Sequence, residues 1–337
     1  MMTTNRSAEA VAGDDLDAAK VGDRQAFDRL IAPYRGELLA HCYRMLGSVH
    51  DADDALQNTL LRAWQGLPRF AGRSSLRTWL YKIATNACFA LIERNGRQHL
   101  PVDPSGPDHA WSASAGDPAW LEPFPHELDD SWSPATVVER RESMELAFVT
   151  AFQRLPSKER AVLLLRDVLG FTANETATVL DTSVAAVTSR LQRGRGKVRG
   201  QLPDRSQRGT LRAIGDDRLQ ALITAYVDAW ERGDADAIVA LVTEDATFSM
   251  PPQPMWFRGR ARIGQFLHES PLRHQWRLVP TRVAGQLAFG CYLRAGDTWT
   301  AHSVDVVTLR EDQVARITAF IDPKLLPLLG LPERLDP

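Results

Sequence analysis

The chain has 337 residues, 44% of them hydrophobic, and a formal net charge of −2. This length allows two or three domains, and no apolar run approaches the roughly 18 residues of a membrane span. The N-terminal stretch lacks the apolar segment of a secretory signal. The three cysteines are far apart and fit neither a disulfide framework nor a zinc site, which favours a reducing cytoplasm.

The charge is distributed unevenly along the chain. Residues 101–135 contain seven acidic residues and no basic residue, whereas residues 190–212 contain eight basic residues and one acidic residue. A concentrated basic segment of this kind indicates a nucleic-acid-binding surface, which the nearly neutral overall charge conceals.

The N-terminal part of the chain is predicted to be helical. Residues 1–15 are expected to be disordered, and helical periodicity dominates residues 16–97. Asp23 is expected to cap a first helix, and Pro33 to begin a second helix that ends at Gly47. We therefore expect a bundle of helices over this part of the chain.

A further helix is predicted from Asp51, and its two faces differ in chemistry. One face is an apolar stripe that is suited to burial. The other face is acidic and amide-bearing with one exposed leucine, and it consists of Asp53, Asp54, Gln57 and Leu61. Acidic residues in a first turn stabilise a helix by roughly 0.3–1 kcal/mol each, so helix stabilisation and a partner surface are both open explanations.

Residues 68–95 are predicted to form a loop and a helix that combine basic and aromatic side chains. Arginines can bind phosphates, and a loop at a helix N-terminus can hold an unstacked base of single-stranded nucleic acid. Trp79 alone is weak support, because aromatic residues in a helix more often belong to the core. The side chains expected to face outward are Arg77, Tyr81, Lys82, Thr85 and Asn86.

Residues 98–135 have no helical periodicity, and they contain seven prolines. The segment is therefore predicted to be an acidic linker. Its large aromatic side chains require contacts, so we do not expect a purely flexible linker. These aromatic residues are Trp111, Trp120, Phe124 and Trp132.

Residues 136–202 have the pattern of a helix-turn-helix motif. Thr172 and Glu175 have the spacing of a capping box, and the third helix is expected to bury Val184, Val187 and Leu191. Its outward face combines small side chains, which allow close approach to DNA, with arginines that reach guanines or phosphates. That face consists of Ala185, Ala186, Ser189, Arg190 and Arg193. A helical hairpin with a solvated basic face is the alternative.

Residues 203–215 are predicted to be a basic connector, and the pattern changes over residues 216–337. Helices come first and strand-like segments follow, which is typical of an α+β domain. Candidates for proton transfer are Asp245, His302 and Asp305. His302 and Asp305 have opposite parity along one strand, so we expect them on opposite faces of the sheet and not as a catalytic pair.

Two parts of the chain resemble the extracytoplasmic-function group of the sigma-70 family. Asp51–Gln57, Leu61–Trp64 and Phe70–Asn86 resemble sigma region 2. Leu155–Arg195 resembles sigma region 4. Both blocks occur in the order that the family has, whereas a helix-turn-helix alone would indicate only a transcription regulator.

Residues 216–322 resemble SnoaL-like domains, in which helices and a curved sheet enclose a conical pocket. The segments Ile223–Phe248 and Trp256–Gly259 carry this resemblance. The implied fold is multidomain. It combines two all-α sigma domains, a region 2 helical bundle and a region 4 helix-turn-helix, with an α+β SnoaL-like cone-shaped barrel.

The resemblance implies a sigma factor that binds core RNA polymerase, recognises the −35 and −10 promoter elements and helps to melt the promoter. The acidic helix face would bind the β′ clamp helices, and region 4 would read the −35 element and contact the β flap. The outward face of the third helix of region 4 would contact the −35 DNA. The residues implied for the −10 element are Phe70, Arg73, Ser75, Arg77, Lys82 and Asn86.

We expect no catalytic residue, metal ion or cofactor, and no contact with a membrane. The C-terminal domain is expected to modulate sigma activity in cis, by inhibition or by assistance. An anti-sigma factor and an unknown small-molecule ligand of this domain are further expected partners. Two alternatives remain open: a ligand-sensing or enzymatic SnoaL-like domain fused to a DNA-binding regulator, and a stand-alone regulator that acts without polymerase.

Overall fold

The computed structural model describes most of the chain and divides it into two compact units. One unit consists of Met1–Arg97 and Ala151–Gln201, and the other of Gln98–Thr150 and Leu202–Pro337. The described residues are 13–95, 121–124, 145–200, 202, 205–253 and 255–336.

Some sequence-based expectations fall outside the described residues. These include the predicted disorder of residues 1–12 and the contacts of Trp111, Trp120 and Trp132. Residues 13–20 are helical, so the predicted disorder was wrong for residues 13–15. Asp15 accepts hydrogen bonds from Arg29, and this pair ties the segment to the helix that follows.

Three helices form the N-terminal bundle of the first unit. They are α1 (Arg24–Leu46), α2 (Val49–Gly66) and α3 (Leu76–Asn95). Asp23 caps α1, because its carboxylate accepts hydrogen bonds from the backbone N–H groups of Gln25 and Ala26. Gly47 ends α1 in the left-handed conformation at a φ of 77°, and the Ser48 side chain caps α2. The predicted cap at Asp23 and the predicted end at Gly47 are confirmed, whereas α2 begins at Val49, two residues before the predicted start at Asp51.

Pro33 lies inside α1, so the two helices predicted around it are one continuous helix. That prediction was wrong because residues on both sides of the proline are buried, among them Leu30 before it and Leu38 after it. A proline in a helix interior costs about 3 kcal/mol or more. Burying several side chains of this size, at roughly 1.5–3 kcal/mol each, outweighs that cost.

Two residues of α3 that were expected to face outward are buried in the bundle. The Tyr81 ring packs edge-on against His41, with ring centres 5.1 Å apart, and Thr85 Oγ1 lies 3.0 Å from His41 Nε2. Burial lowers the pKa of His41 to about 3, so its imidazole is neutral at physiological pH. The expectation failed because these polar groups find partners inside the bundle.

The helix-turn-helix half of the sequence forms α4 (Leu146–Gln153), α5 (Ser157–Leu163), α6 (Ala173–Val179) and α7 (Val184–Val198). The division between the two units falls within α4. The capping box is confirmed, because Thr172 and Glu175 each accept a hydrogen bond from the other's backbone N–H. Val184 is 40% exposed, contrary to expectation, because it is the first residue of α7 and precedes the buried line of the helix.

The second unit combines helices with one sheet. Its helices are α8 (Gln207–Ile214), α9 (Asp216–Glu231), α10 (Ala235–Leu241), α11 (Arg260–Glu269) and α12 (Leu325–Leu328). Its strands are β1 (Val242–Ser249), β2 (Trp256–Arg258), β3 (Trp276–Val283), β4 (Gln286–Ala295), β5 (Thr298–Arg310), β6 (Gln313–Phe320) and β7 (Arg334–Leu335).

The sheet has the strand order β2-β1-β6-β5-β4-β3, and β7 pairs with β5. The β1–β6 pair is parallel and the other pairs are antiparallel. The α+β class is confirmed, and the sheet is mixed and open where a closed barrel was expected. One face packs against the helices through a core that includes Tyr226, Trp230, Phe266 and Phe289.

Candidate polymerase and promoter interfaces

The four residues predicted to bind polymerase lie together on the exposed face of α2. Asp53, Asp54, Gln57 and Leu61 are all exposed, and 55% of the Leu61 surface is accessible. Gln57 Nε2 donates a 2.7 Å hydrogen bond to Asp53 Oδ2, which places the amide beside the carboxylate. The opposite face of α2 is buried in the bundle. The four side chains therefore form an acidic surface around one apolar residue.

The residues predicted to contact the −10 element occupy the loop before α3 and the exposed side of α3. The Phe70 ring lies 5.0 Å from the Trp79 ring between centres. The Ser75 hydroxyl accepts a 3.1 Å hydrogen bond from a backbone N–H in the first turn of α3. Arg73 and Asn86 are exposed. Phe70 and Ser75 are thus held by contacts with α3, whereas Arg73 and Asn86 are accessible to a partner.

Arg77 is bound by other residues of the same unit. Its guanidinium donates to both carboxylate oxygens of Glu37, at 3.0 Å from Nε and 3.1 Å from Nη2. The guanidinium carbon lies 4.5 Å from the ring centre of Phe171 and 5.0 Å from that of Tyr81. A cation over an aromatic ring contributes about 0.5–2 kcal/mol. Because Phe171 precedes α6, the helix-turn-helix half covers Arg77.

Lys82 also contacts the helix-turn-helix half. Its Nζ lies 2.5 Å from Oδ1 of Asp181, which is in the turn between α6 and α7. The two side chains are 34% and 70% exposed, so this pair contributes on the order of 0–1 kcal/mol. Two of the predicted −10 residues, Arg77 and Lys82, are therefore engaged by the second DNA-binding element of the same unit.

The predicted −35 residues lie on α7, which Ser183 caps by accepting a hydrogen bond from the backbone N–H of Ala186. Ala185 and Ser189 are exposed, and Ala186 is half-buried. The small side chains of this helix thus leave its N-terminal half accessible to a groove.

The two arginines of this set are paired within the protein. Arg190 Nη1 donates to Thr182 Oγ1 at 3.3 Å. Arg193 donates from Nε to Glu159 Oε1 at 3.1 Å and from Nη1 to Ser189 Oγ at 2.6 Å. Both guanidinium groups are therefore directed by partners on the protein.

Two acidic residues, Glu159 in α5 and Asp167 in the helical turn that follows α5, bind the basic side chains of α7. Glu159 also accepts a 2.8 Å bond from Lys197, and Asp167 accepts bonds of 2.9 and 2.7 Å from Arg195. Hydrogen bonds from Lys197 and then Arg193 lower the pKa of Glu159 below its ordinary value. The cations of α7 are thus positioned on both of its flanks.

The sequence pattern did not single out Glu159, Asp167 or Gln192. The exposed position of Gln192 follows from 100° spacing along α7, so stricter use of the periodicity would have found it. The pairs made by Glu159 and Asp167 join different helices, and no periodicity within one helix reveals such contacts.

Arg160 is a buried cation with no carboxylate partner among the described residues. Its guanidinium donates to four backbone carbonyls, those of Met45, Phe152, Gln153 and Leu155. Burial lowers the pKa of Arg160 to about 10, so the side chain stays protonated. Met45 is near the end of α1, and Arg160 therefore joins the N-terminal bundle to the helix-turn-helix half.

In the second unit, the residues before α4 are tied to α8 and to the sheet. The Glu145 carboxylate accepts bonds of 2.8 and 3.1 Å from the first two backbone N–H groups of α8. The Leu146 N–H donates to Gln286 Oε1 at 2.7 Å. The Gln207 side chain bonds both backbone groups of Leu309 on β5. Glu145 and Leu146, which follow the predicted linker, are therefore fixed to the C-terminal domain.

The described part of the linker has further buried residues. Phe124 is buried, as predicted, and Leu121 is buried beside it in sequence. Both belong to the same compact unit as the C-terminal domain.

A small group of polar side chains is buried between α9 and the sheet. Tyr226, Trp230 and Asp305 are 1%, 4% and 3% exposed. The Tyr226 hydroxyl and Trp230 Nε1 have no hydrogen-bond partner among the described residues. Asp305 accepts a 3.1 Å bond from Ser303, and burial raises the pKa of Asp305 to about 6. The carboxyl group therefore exchanges its proton near neutral pH.

His302 lies on the same side of the sheet as Asp305, so the expectation of opposite faces was wrong. The pairing of β4 with β5 shifts by one residue beside His302, and such a bulge breaks the alternation of side chains. The His302 ring packs 5.3 Å from Trp276, which contacts Trp230 in the core. No hydrogen bond joins His302 to Asp305 in the part of the chain that the structure describes.

The remaining candidates make ordinary structural contacts. Asp245 is exposed, and a hydrogen bond from Arg310 lowers the pKa of Asp245. Cys42, Cys88 and Cys291 are buried free thiols. Over the described ranges, no group of side chains could hold a metal ion, and no helix is long and apolar enough to cross a membrane.

Comparison with known proteins places these features in a family. Residues 30–98 match the model of sigma-70 region 2, residues 145–198 that of sigma-70 region 4, and residues 223–317 that of a SnoaL-like domain. SigG of Mycobacterium tuberculosis, an ECF (extracytoplasmic-function) RNA polymerase sigma factor, is 42% identical over 318 residues, covering 93% of this chain and 85% of SigG. The chain belongs to the ECF sigma factors.

Other relatives match this ECF sigma factor over different extents. SigW of Bacillus subtilis is 30% identical over 56% of this chain and 95% of SigW. The crystal structure of SigJ from Mycobacterium tuberculosis superposes with a TM-score of 0.57 at 22% identity, covering 90% of this chain and 99% of SigJ. The SigJ match shows a shared fold, and the family models confirm the predicted combination of two sigma regions with a SnoaL-like domain.

The buried carboxyl of Asp305 predicts a pH-dependent stability. The folded chain keeps this proton up to about pH 6, whereas the unfolded chain releases it near 3.8, so the free energy of unfolding falls as the pH rises between these values. Above pH 6 we expect Asp305→Asn to be more stable than the wild type by roughly 1–3 kcal/mol. Below about pH 4 this advantage should disappear.

Urea unfolding followed by tryptophan fluorescence at about pH 4.5 and about pH 8 measures this difference. Asp245→Asn is the matched control, because that carboxylate is exposed and should show no gain at the higher pH. Parallel pH profiles for Asp305→Asn and the wild type would contradict the prediction.

Proposed function

We propose that this ECF sigma factor acts in the cytoplasm, where it binds core RNA polymerase, recognises −35 and −10 promoter elements and helps to melt the promoter. The observation that carries the proposal is the exposed face of α2. The exposed residues of this face are Asp53, Asp54, Gln57 and Leu61, and the opposite side of the helix is buried in the bundle. An accessible leucine within a polar ring suits a protein partner with a matching apolar contact.

The promoter contacts are proposed to divide between the two sigma regions. The −10 element would contact the loop before α3 and the exposed side of that helix, and the −35 element would contact α7. Arg77 and Lys82 are occupied by Phe171 and Asp181 in the described form. Binding of −10 DNA by these two side chains therefore requires exchange of their partners in the helix-turn-helix half.

Replacing both Gln57 and Leu61 by alanine tests the polymerase contact. We expect at least about a fivefold loss of affinity for core polymerase, because the exposed Leu61 is the proposed apolar anchor of the interface and truncating such a hot-spot residue costs more than about 1 kcal/mol. Competition binding to core enzyme and run-off transcription measure the loss.

The matched control replaces Val21 and Gln25, an exposed apolar and an exposed amide side chain outside α2. This control variant should bind like the wild type. Equal affinity for the wild type and the Gln57/Leu61 variant would remove the α2 face from the proposal. A wild-type protein that does not bind core polymerase would favour the stand-alone regulator instead.

We further propose that the C-terminal domain modulates transcription through the first residues of region 4. Glu145 and Leu146 are hydrogen-bonded to α8 and to Gln286 of that domain. Hydrogen bonds to a charged group contribute about 1.5–3 kcal/mol each. These bonds therefore restrict the chain where it enters region 4.

The double variant Glu145→Gln with Gln286→Ala tests modulation in cis. Loss of these bonds should free the start of region 4 and change the yield of run-off transcript from the same promoter. A higher yield identifies the domain as an inhibitor, and a lower yield identifies it as a required part of the working factor.

Gln265 and Glu269 provide the matched control, since they are an exposed hydrogen-bonded pair of the same residue types on α11. Their replacement should leave transcription unchanged. An unchanged yield from the Glu145/Gln286 variant, with wild-type folding, would count against modulation through this segment.

A second candidate function is ligand binding inside the C-terminal domain. The observation that favours it is the buried Tyr226 hydroxyl, which donates no hydrogen bond to any described residue and whose pKa is raised by burial and by the nearby Asp305 carboxylate. An unsatisfied buried polar group costs about 1–3 kcal/mol, which a ligand oxygen would relieve. A metabolite that raises the melting temperature of the wild type should lose its effect on Tyr226→Phe. Equal shifts for both proteins would reject this site.

An anti-sigma factor stays a prediction. Such a partner would compete with polymerase for the α2 face or stabilise the described contacts of Arg77 and Lys82. Enzymatic activity of the C-terminal domain is not part of the proposal, since the structural contacts of Asp245 and Asp305 do not define a reaction.

A further inference from the structure

The recognition helix α7 has an exposed strip that contains one long uncharged side chain. The buried line of the helix consists of Val187, Leu191, Gly194 and Val198. At 100° per residue, the side opposite this line carries Ala185, Ser189, Gln192, Arg193 and Gly196, and all five are exposed. Gln192 and Arg193 are the residues of this strip whose side chains extend well beyond the helix surface, and Arg193 is bound by Glu159 and Ser189.

The neighbours of Gln192 allow the helix to approach a DNA groove closely. Ala185, Ser189 and Gly196 lie one or two turns away and add little bulk. The major groove is about 12 Å wide and admits an α-helix, so the residues at the centre of the inserted face reach the base edges. Ser189 and Gly196 lie at this centre, and Gln192 lies beside it with a side chain long enough to reach a base edge.

Other polar side chains of the same turns are engaged within the protein. Thr188 Oγ1 donates to the carbonyl of Val184 at 3.0 Å, in its own helix. Arg190 and Arg193 have the partners described above, on Thr182 and on Glu159 with Ser189. The Gln192 amide has no hydrogen bond to any described residue, so both its donor and its acceptor are available.

The basic side chains of α7 lie on the two sides of this strip. Arg193 and Lys197 are on one flank, where both bind Glu159. Arg195 is on the other flank, where it binds Asp167. Two flanks of positive charge fit the two phosphate backbones that border a groove, and phosphate contacts position a protein without reading sequence.

We propose that Gln192 is the side chain of α7 that determines specificity at one base pair of the −35 element. Its amide N–H donates to N7 of adenine and its amide oxygen accepts from the N6 amino group, which is the bidentate pairing that glutamine makes with adenine. Arg193, Lys197 and Arg195 contact phosphates beside it. This inference rests on the proposed function, because it requires α7 to bind the −35 element.

The test is selection of −35 sequences from a randomised promoter pool by holoenzyme assembled from core polymerase and full-length protein. The variants are Gln192→Ala and Gln192→Glu, which change an exposed side chain that makes no fold contact. Gln220→Ala is the matched control, an exposed glutamine on α9. Lys197→Ala serves as the phosphate-contact comparison.

The wild type and Gln220→Ala should prefer adenine at one position by about 5- to 100-fold. Gln192→Ala should lose the preference at that position and keep it elsewhere. Gln192→Glu should move the preference toward cytosine, whose N4 amino group donates to a carboxylate. Lys197→Ala should weaken all sequences uniformly and reduce the slope of log affinity against log salt by about 1.

Three results would overturn the inference. A wild-type profile for Gln192→Ala shows that another residue reads the bases, while the proposed function stands. Uniform weakening by Gln192→Ala shows a phosphate contact in place of a base contact. A wild-type holoenzyme that binds core polymerase yet selects no −35 sequence overturns the promoter-reading part of the proposed function together with the role of Gln192.

Discussion

The buried guanidinium of Arg160 is the interaction on which the arrangement of the first unit depends. A buried charge costs several kcal/mol unless its hydrogen bonds are satisfied, and here backbone carbonyls alone satisfy them. One of these carbonyls belongs to Met45, near the C-terminal end of α1, where carbonyls lack helical partners and carry partial negative charge. Arg160 therefore stabilises the end of α1 and fixes the helix-turn-helix half on the bundle at the same time.

Two contacts that the proposed −10 residues make with the helix-turn-helix half are weaker than those of Arg160. The Lys82–Asp181 pair is partly exposed, and the Arg77–Phe171 contact is one cation over one ring. Together they amount to a few kcal/mol at most. A ligand shifts such an equilibrium only by its differential affinity for the two forms, and several phosphate contacts supply energy of this size. In the proposed function, DNA can therefore replace these partners.

Local patterns could be predicted from the sequence, whereas contacts between distant segments could not. The capping box at Thr172, the cap at Asp23 and the acidic face of α2 all follow from residues within one or two turns. The continuity of α1 through Pro33 and the burial of Tyr81 depend on packing against other helices. In the same way, the sequence identified Arg193 as a candidate −35 residue, but it did not predict the hydrogen bond to Glu159 on another helix that orients its side chain.

The C-terminal domain shows how a single strand can connect two candidate roles. On β5, Leu309 is hydrogen-bonded to Gln207 at the start of α8, whose first N–H groups bind Glu145 at the start of region 4. Four residues earlier, the same strand carries Asp305 with its raised pKa. A strand rises about 3.3 Å per residue, so Asp305 and Leu309 are separated by roughly 13 Å along β5, and the pairing of β5 with β6 shifts register between Thr308 and Leu309.

Position along one strand does not itself establish coupling between the two sites. Coupling requires that the strand or its bonded neighbours have two arrangements, and that both sites favour one of them. The charge of the Asp305 carboxyl could favour one arrangement over the other, because its raised pKa means that protonation removes this buried charge near neutral pH. If modulation in cis acts through Glu145, a change of charge at Asp305 alters transcription only when it also changes the bonds of Gln207 with Leu309.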